Sequence, residues 1–517
     1  MFYHDLKVAG YSDCNGKRFI SASYEGRTAI IPHAMCYGKA EDVLPALADR
    51  GLVIPGPSAA KTLLERIYRI TEFEAANVIA TPGYANGQFT LGDGSVISKD
   101  TRRPMIAFAA DPMIFGEAGT IKSWQREIAR HIAGQPIPMM AMLLAFAAPL
   151  AAITGTPICH SIEFVGLASS GVDVLPYLLA SVCGAPARQV TQFARVARSD
   201  ESVSFYHNDL ALAVIGSDVC LAGETAGRRA LAVKNYLFPS HSGAGEISRN
   251  RCMVSFSHEA LLSQADAATE LAPLAAGKHV SIRVPGERKY GIFEGLPSTC
   301  PNSSALAKRL VNRAHQHHGV PLRRFLDHLV EMSSIDLTEL NRVVSKRLEA
   351  FRKAAADDRN DQCEAIVTDT FAIAYAAGWI ARHIGILPPT WPVNVAVMRC
   401  YRHYRHQAAP PRSFIDILRE IAAGDDVVQI GGSESQTGSF EGTNVFVKNL
   451  GRRIEIMIRP DAIHALLPDW NRWLGRSAAK NMMVTEKGRL TVKRSLGEGT
   501  KERVHCFRIP SSSRVGQ

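Results

Sequence analysis

SIEFVGLASSGVDVLPYLLASVCG, residues 161–184, places a glycine-bounded turn between a short apolar run and a longer one. Ser161–Val165 has the composition of a strand, and residues 174–182 form an apolar run of helical length that ends at Gly184. Gly166 and Gly171 have the spacing of the phosphate-binding loop GxxxxGK[ST], whose backbone N–H groups close around phosphates. Strand, glycine turn and helix predict an α/β fold built around this loop. The spacing also leaves open a plain strand-to-helix turn without a ligand.

Two side chains that a functional phosphate-binding loop requires are absent from this sequence. Val172 stands where the motif has a lysine that reaches the β and γ phosphate oxygens, and Asp173 stands where it has a hydroxyl that holds Mg²⁺. A carboxylate about 4 Å from a phosphate oxygen costs on the order of 4 kcal/mol at a partly buried site. We therefore expect weak or absent binding of ATP and Mg²⁺, no catalytic residue and no bound metal.

A second strand is predicted at residues 210–217, and its end should carry the acidic pair that orders Mg²⁺ and the attacking water. Ile215 and Gly216 occupy that position, and Asp218 and Glu224 follow too late to replace the pair without a rearranged loop. Two independent catalytic elements are thus missing together.

Six blocks of sequence follow one another in an order that resembles a known family. They are GTIKSWQREIARHIAG (119–134), AMLLAFAAPLAAITG (141–155), IEFVGLASSGVDVLPYLLASVCG (162–184), FYHNDLALAVIGSD (205–218), AAGKHVSIRVP (275–285) and TFAIAYAAGWIARHIGILP (370–388). Their order and spacing are similar to those of the bacterial domain of unknown function number 927, up to about residue 420. That family occurs in plasmid, phage and integrated-element proteins, often with primase modules, and resembles AAA+ helicases.

The resemblance implies a P-loop NTPase core of the AAA+ or RecA-like type at residues 116–320 and a helical lid at 321–425. In the family's phosphate loop, the matching residues are Gly166, Ser169, Ser170 and Gly171, while Val172 and Asp173 depart from it. Where the family usually has an arginine that serves as a sensor or finger, this chain has Ser281, with Arg283 two residues on. We therefore expect a degenerate member, a pseudo-ATPase.

The two ends of the chain have their own patterns. Short β-type runs predict a β-rich N-terminal domain over residues 1–115. Helical patterns followed by a basic hairpin predict a small winged-helix-like domain over residues 440–517, although such domains also bind proteins. Its candidate phosphate contacts are Lys487, Arg489, Lys493, Arg494 and Arg503.

The formal net charge of +10 favours an anionic partner. A second basic stretch, at residues 399–406, interleaves cations with aromatic rings, a pattern that contacts phosphates and stacks on bases. Its candidate contacts are Arg399, Tyr401, Arg402, Tyr404 and Arg405. The alternative is a solvated helix face. The partner we expect is DNA, single-stranded or forked.

Ten cysteines are dispersed without a CxxC pair, which favours a reducing cytoplasm over a zinc or disulfide scaffold. His315, His317 and His318 are interpreted as helix-end residues beside Gly319. The apolar run at residues 139–150 contains Pro149 and is interpreted as a buried core helix, so we expect a cytoplasmic protein that does not span a membrane.

Three classes of function remain. The first is a DNA-associated, hydrolysis-deficient, helicase-like subunit of a mobile element, acting in replication or regulation as a homo-oligomer or with an active helicase or primase partner. The second is an active ATP-dependent helicase in which Lys234, Arg228 or Arg229 supplies the missing cation. The third is a non-enzymatic protein-interaction scaffold.

Overall fold

The computed structural model describes residues 5–37, 40–100, 104–193, 195, 201–216, 252–258, 279–284, 289–356, 362–408, 418–419, 421–424, 427–430, 443–451, 453–467, 482–486, 489–496 and 501–510. The chain divides into two compact units, Met1–His406 and Gln407–Gln517. The four predicted domains are finer than this division and stay predictions.

The N-terminal part of the first unit is a four-stranded sheet with two helices. Its elements are β1 (Lys7–Ser12), β2 (Arg18–Tyr24), β3 (Arg27–Pro32), α1 (Ala40–Ala48), α2 (Gly56–Tyr68) and β4 (Glu74–Ala75). The sheet order is β3-β2-β1-β4, antiparallel except for the β1–β4 pair. Ile20 and Ile31 of the sheet pack in one cluster with Leu47 and Leu63 of the helices. The short strands expected in this region are present.

Two small sheets follow. They consist of β5 (Val78–Ile79), β6 (Gly83–Ala85), β7 (Gln88–Thr90), β8 (Val96–Ile97) and β9 (Met105–Ile106), with β5 paired to β9 and β7 between β6 and β8. Asp209, from the main body of the unit, accepts a hydrogen bond from the Tyr84 N–H at 2.9 Å. Gly83 has a φ of +107°, and a Cβ there would lie 2.5 Å from Asp209 Oδ2, so only glycine permits this approach.

The centre of the first unit is a five-stranded parallel sheet. Its strands are β10 (Ser161–Val165), β11 (Val190–Gln192), β12 (Ala211–Ile215), β13 (Cys252–Ser257) and β14 (His279–Arg283). Their order is β11-β12-β13-β10-β14, and every neighbouring pair is parallel. The first strand in sequence therefore lies in the sheet between the last two. The predicted α/β class and the predicted strand at Ser161–Val165 are confirmed.

Helices precede, separate and follow the strands of this sheet in the chain. They are α3 (Ile121–Trp124), a π-helical turn (Gln125–Ala129), α4 (Arg130–Ile132), α5 (Pro136–Thr154), α6 (Leu175–Cys183), α7 (Pro186–Gln189), α8 (Glu201–Tyr206), α9 (Ser303–Gln316), α10 (Val320–Ala355), α11 (Gln362–His383) and α12 (Val393–Ala408). Helix α10 is kinked at Asp336, whose φ and ψ are −158° and 99°. Helices are thus present where the lid was expected to begin, whereas a separate lid domain over residues 321–425 stays a prediction.

Helix α5 is apolar on every side because it lies inside the unit. Ile162 and Phe164 of β10, Leu143 of α5 and Phe371 of α11 belong to one buried cluster. A Cβ on Gly378 of α11 would lie 2.6 Å from Leu143 Cδ2, so glycine allows the two helices to pack closely. Among the described residues, α5 alone is long and apolar enough to cross a membrane, yet 89% of its most apolar window is buried in the protein. This burial agrees with the predicted core helix.

The second unit is a mostly antiparallel sheet. Its described elements are β15 (Val427–Ile430), β16 (Val445–Asn449), β17 (Arg453–Ile458), α13 (Ile463–Leu466), β18 (Met483–Val484), β19 (Val492–Ser495) and β20 (Lys501–Pro510). The order is β15-β16-β17-β20-β18, with β19 also paired to β20. The predicted hairpin is present as β19 and β20, but it joins a six-stranded sheet. That sheet is larger than the wing we expected, and part of the helical pattern expected before the hairpin, at residues 470–474, lies outside the described residues.

Candidate functional site

The carboxyl end of β10 is the natural position for a ligand in this sheet. Chain order places β11, β12 and β13 on one side of β10 and β14 on the other. In open parallel sheets, ligands bind outside the carboxyl ends of the strands at the point where the order reverses. The loop from Gly166 to Asp173 leaves β10 at this point, so the motif and the topology indicate the same place.

The loop is short and is closed largely by its own hydrogen bonds. The Gly166 N–H donates to Ser257 O at 3.0 Å, the Ser170 N–H to Leu167 O at 2.8 Å, and the Val174 N–H to Gly171 O at 3.1 Å. These three donors are thereby unavailable to a phosphate. Two short 3₁₀ turns, Ala168–Ser170 and Val172–Val174, replace the open cradle before α6 begins.

A neighbouring segment packs directly against this loop. The Ile292 N–H donates to Ser170 O at 2.8 Å, and a Cβ on Gly291 would lie 2.0 Å from that same oxygen. The Ser170 hydroxyl is buried without a hydrogen-bond partner among the described residues, and a Cβ on Gly166 would lie 2.5 Å from its Oγ. Gly171 has a φ of +82° and connects the two turns. The loop is therefore packed tightly on the side of residues 291–292.

Val172 and Asp173 face different surroundings. The Val172 side chain is fully buried in the main hydrophobic cluster, so the position of the motif lysine is a core position here. The Asp173 side chain is 67% exposed, and its Oδ1 lies 3.1 Å from Nε2 of His258. His258 directly follows β13, the neighbour of β10. A carboxylate paired with an imidazole thus occupies the place of the Mg²⁺-holding hydroxyl.

The described residues at the carboxyl end of β12 carry no carboxylate. The strand ends at Ile215, and Gly216 follows with a φ of +74°. Asp209 lies at the opposite, amino end, where it is bound to Tyr84. Asp218 and Glu224 lie outside the described residues, as do Lys234, Arg228 and Arg229.

Cations converge on the same edge from β14 and α12. Arg283 is the last residue of β14, is exposed and pairs in register with Val165. His403 of α12 donates from Nε2 to Arg283 O at 2.5 Å. The basic stretch at residues 399–405 therefore contacts the carboxyl end of β14, the strand next to β10, a proximity that the sequence did not reveal. Ser281 lies within β14, and its hydroxyl is buried without a described partner.

The five predicted contacts in α12 do not share one environment. Tyr401 is 6% exposed, packs against Phe351 and Phe371 and lies 3.1 Å from the Thr368 hydroxyl, so it is a core residue and not a stacking surface. Tyr404 is partly buried and tilted against Phe371 at 5.9 Å, and Arg405 is also partly buried.

Two arginines of α12 remain at the surface. Arg399 donates to Glu294 Oε2 at 2.5 Å, and Arg402 is exposed and makes no ion pair with a described residue. Both line a cavity of about 220 Å³ together with Pro136, Ile137, Glu294, Cys400 and His403.

The predicted contacts of the second unit also divide. Arg489, Lys493 and Arg503 are exposed, whereas Lys487 lies outside the described residues. Arg494 pairs with Glu455 at 3.2 Å, and that buried carboxylate also contacts Arg508 and the Cys506 thiol. Burial raises the pKa of Glu455, but these hydrogen bonds and positive charges outweigh it and lower the pKa overall. Arg494 is thus engaged in holding its own sheet together.

Two of the three clustered histidines make hydrogen-bond contacts within the protein. His317 Nδ1 lies 3.1 Å from the Ser123 hydroxyl, and His318 Nδ1 lies 3.1 Å from Ala314 O. Burial lowers the pKa of His318, which opposes a charged form. No group of three metal-ligating side chains occurs among the described residues.

Sequence reasoning missed His258 and the strand before it. In β13, Met253, Ser255 and Ser257 share one face of the sheet, and all three are buried. The Ser257 hydroxyl donates to the buried carboxylate of Glu163 at 2.9 Å. Buried serines interrupt the apolar run that marks a parallel strand, so the pattern gave no signal. Residues 252–257 alternate apolar residues with serines, and this alternation was the one local pattern that could have predicted a strand there.

Comparisons with known proteins agree with the resemblance drawn from the six blocks. Residues 18–215 match the family model described as Domain of unknown function (DUF927), a shorter extent than expected. No curated protein matches the chain. A solved structure described as "SCCmec type IV Cch - active helicase" is similar over 98% of this chain and 93% of its own, with a TM-score of 0.56 and 13% identity. At that identity the likeness shows the fold alone.

Proposed function

We propose that this chain, whose residues 18–215 match the DUF927 model, is a nucleic-acid-associated, helicase-like protein of a mobile element that does not hydrolyse ATP. It acts in replication or as a regulatory subunit, either as a homo-oligomer or beside an active helicase or primase. The core at residues 116–320 is a P-loop-like module that retains its architecture without its chemistry. The fold shared with the Cch helicase supports the helicase-like part of this proposal.

The observation that carries the proposal is the side-chain pair at Val172 and Asp173. Val172 is buried in the core, so even a lysine placed at this position would point into the protein and not toward a phosphate. Asp173 adds a negative charge beside the loop, and His258 offsets only part of it. The internal hydrogen bonds of Ser170 and Val174 remove two further donors. A triphosphate with Mg²⁺ would meet neither the attraction nor the donors that hold it in a working loop.

The test is a titration of the purified full-length chain with a fluorescent ATP analogue, with and without Mg²⁺. We expect at most weak binding that Mg²⁺ does not strengthen, because the ion lacks its hydroxyl ligand. Tight, Mg²⁺-dependent binding would contradict the proposal.

The nucleic-acid part is tested separately by binding to single-stranded DNA at several salt concentrations. Phosphate neutralisation makes the logarithm of the affinity fall linearly with the logarithm of salt, by about 0.7 per phosphate on single strands. Absence of salt-sensitive binding would favour the scaffold function, in which the basic residues serve solubility.

A second candidate is an active helicase with substitute residues. It is favoured by the likeness to the Cch helicase, which is described as active, and by Arg283, an exposed cation at the carboxyl end of the strand beside β10. Lys234, Arg228 and Arg229 are further candidates. Replacing each in turn should abolish ATP turnover in this case, and unchanged turnover would dismiss that residue.

A further inference from the structure

Two helical segments of the first unit carry a large excess of positive charge. They are helix α9 and residues 121–132, the continuous run from α3 through the π-helical turn to α4. Together they contain one carboxylate, Glu127, and six cations, which are Lys122, Arg126, Arg130, Lys308, Arg309 and Arg313. All six cations are exposed or partly exposed, so the two segments present to solvent a charge that attracts anions.

Three contacts place these segments side by side. They join Ala118 to His318 through two backbone hydrogen bonds of 2.9 and 3.0 Å, the Ser123 hydroxyl to His317 Nδ1 at 3.1 Å, and Glu127 Oε2 to Arg313 Nε at 3.3 Å. The number of the partner falls as the residue number rises along the first segment. The two segments therefore run antiparallel, and an advance of four residues in one matches a retreat of four in the other.

This register brings the remaining arginines close together. His131 follows Glu127 by four residues and Arg309 precedes Arg313 by four, so His131 and Arg309 lie opposite each other one helix turn further on. Burial lowers the pKa of the His131 imidazole, and the positive charges of Arg309 and Arg130 lower it further. Glu127 is the one carboxylate that opposes them. Guanidinium groups from both segments therefore surround His131.

The π-helical turn keeps the cations of the first segment in one row. Lys122, Arg126 and Arg130 follow one another at intervals of four residues, and all three are exposed. In an α-helix, four residues exceed one full turn by about 40°, so such a row would drift around the axis. The turn Gln125–Ala129 winds less per residue, which opposes this drift. The three side chains therefore leave the segment near the same face.

The π-helical turn is also fixed to the rest of the unit. Trp391 donates from Nε1 to Ala129 O at 2.8 Å, and the Gln125 side chain donates to Gly385 O at 2.7 Å and to Ile386 O at 2.8 Å. Binding to a surface that is already rigid costs less conformational entropy than ordering a loop. The arginines on this turn are thus preorganised for a ligand.

Two of the four arginines are paired inside the protein and two are not. Arg126 Nε lies 2.7 Å from Glu127 Oε1 and Arg313 Nε lies 3.3 Å from Glu127 Oε2, so these two share one carboxylate. Arg130 and Arg309 make no hydrogen bond or ion pair with a described residue. Their donors are available to a ligand, and a guanidinium matches two oxygens of one phosphate at once.

The surface fits a phosphate backbone better than an acidic protein. Protein interfaces are centred on aromatic and other apolar side chains. None of the exposed large apolar side chains among the described residues lies on either segment. From Lys122 to Arg130 the row extends about 12 Å, which is long enough to follow several charges of a nucleic-acid strand.

We propose that Arg130 and Arg309 bind backbone phosphates of a nucleic-acid strand on the surface shared by α9 and residues 121–132. This inference rests on the proposed nucleic-acid association and adds to it a site that does not involve α12. The site reads no sequence, because phosphate contacts carry no information about the bases.

The test is an anisotropy titration of a labelled oligothymidylate at several salt concentrations. It compares the full-length wild type with Arg130→Gln, Arg309→Gln and the double variant. Each lost phosphate contact should make the plot of log affinity against log salt shallower by about 0.7, so the double variant should lose about 1.4. Arg27→Gln, at an exposed arginine of β3, is the matched control and should leave the slope unchanged.

Glu127→Gln gives a readout that a folding defect cannot imitate. This change removes the single negative charge and releases Arg126 and Arg313, so oligothymidylate should bind several-fold more tightly and with a steeper salt dependence. Arg130→Lys keeps the charge and should keep the slope of the wild type. Thermal melting of every variant shows that the fold is retained.

An unchanged slope in the folded double variant, or equal or weaker binding by Glu127→Gln, would overturn this site and leave the nucleic-acid association standing. Absence of any binding by the wild type would overturn both. A labelled polyglutamate of the same charge is titrated in parallel. Polyglutamate binding that is tighter than that of the oligothymidylate and is lost in the double variant would assign the surface to an acidic protein and overturn the proposal.

Discussion

Nε2 of His258 lies 3.1 Å from Oδ1 of Asp173, so the loop after β10 is tied to the end of β13 by a histidine and a carboxylate. Both side chains are well exposed, and exposed pairs contribute about 0–1 kcal/mol. The main effect of the pair is therefore on the electrostatic potential at the loop and not on the stability of the fold. It keeps a carboxylate at the place where a triphosphate would need a hydroxyl and a metal ion.

Removing this carboxylate should make the edge more attractive to anions. We expect Asp173→Asn to bind a fluorescent ATP analogue several-fold more tightly than the wild type, with a change in stability under about 1 kcal/mol. Asp49→Asn, at an exposed position in the N-terminal part, is the control. Equal or weaker binding of Asp173→Asn would show that Asp173 does not repel a nucleotide.

Placing the motif lysine at position 172 should not restore ATP binding or hydrolysis. Val172 is fully buried, so Val172→Lys places an unpaired ammonium in the core and should lower the free energy of unfolding by about 2–5 kcal/mol. Val172→Ile, which adds a methylene but keeps the site apolar, should cost less than Val172→Lys, about 1–3 kcal/mol. Chemical denaturation measures both. Full stability of Val172→Lys together with a gain in ATP turnover would refute the structural account of this loop.

Helix α12 illustrates which features of this protein could be predicted from a local sequence pattern and which could not. Alternating cations and aromatic rings predicted a nucleic-acid surface, and the helix does present Arg399 and Arg402 outward. The same pattern did not reveal that Tyr401 faces Phe351 and Phe371, because the direction of each side chain depends on how the helix packs. Strand β10 and helix α6 were predictable because their apolar runs are local. The neighbours of β10 come from distant parts of the chain, so the positions of His258 and Arg283 beside the loop required the fold.

Tyr401 should behave as a core residue. Its hydroxyl is paired with that of Thr368 at 3.1 Å, so Tyr401→Phe should cost about 1 kcal/mol of stability and leave DNA affinity unchanged. Thermal melting and DNA titration of the same sample measure the two effects. A fall in DNA affinity without a change in stability would show that Tyr401 contacts DNA and is not only a core residue.

In the second unit, adjacent cations should have opposite effects. Arg494 pairs with buried Glu455, so Arg494→Gln should destabilise this unit by about 1–3 kcal/mol without changing the salt slope of DNA binding. Lys493 is exposed, so Lys493→Gln should lower the slope by about 0.7 and leave stability unchanged. If the two variants exchanged these effects, the assignment of Arg494 to the fold would be wrong.

Acid should destabilise the first unit through His207. Burial lowers the pKa of this imidazole to about 4, against about 6.5 in an unfolded chain. Between these values the unfolded chain binds the proton and the folded chain does not, so stability falls as pH drops from about 6.5 toward 4, by up to about 3 kcal/mol. Urea midpoints across this range should fall less steeply in His207→Gln. Parallel curves would assign the acid sensitivity to other groups.

Whether this loop supports ATP cleavage is measured by phosphate release under single-turnover conditions with Mg²⁺ and single-stranded DNA. The comparison is between the wild type and Gly171→Val, which is strained at a φ of +82° and should distort the loop. We expect no release above background from either protein, with the fold of both checked by thermal melting. Rapid, DNA-stimulated release from the wild type that is lost in a folded Gly171→Val variant would contradict this expectation.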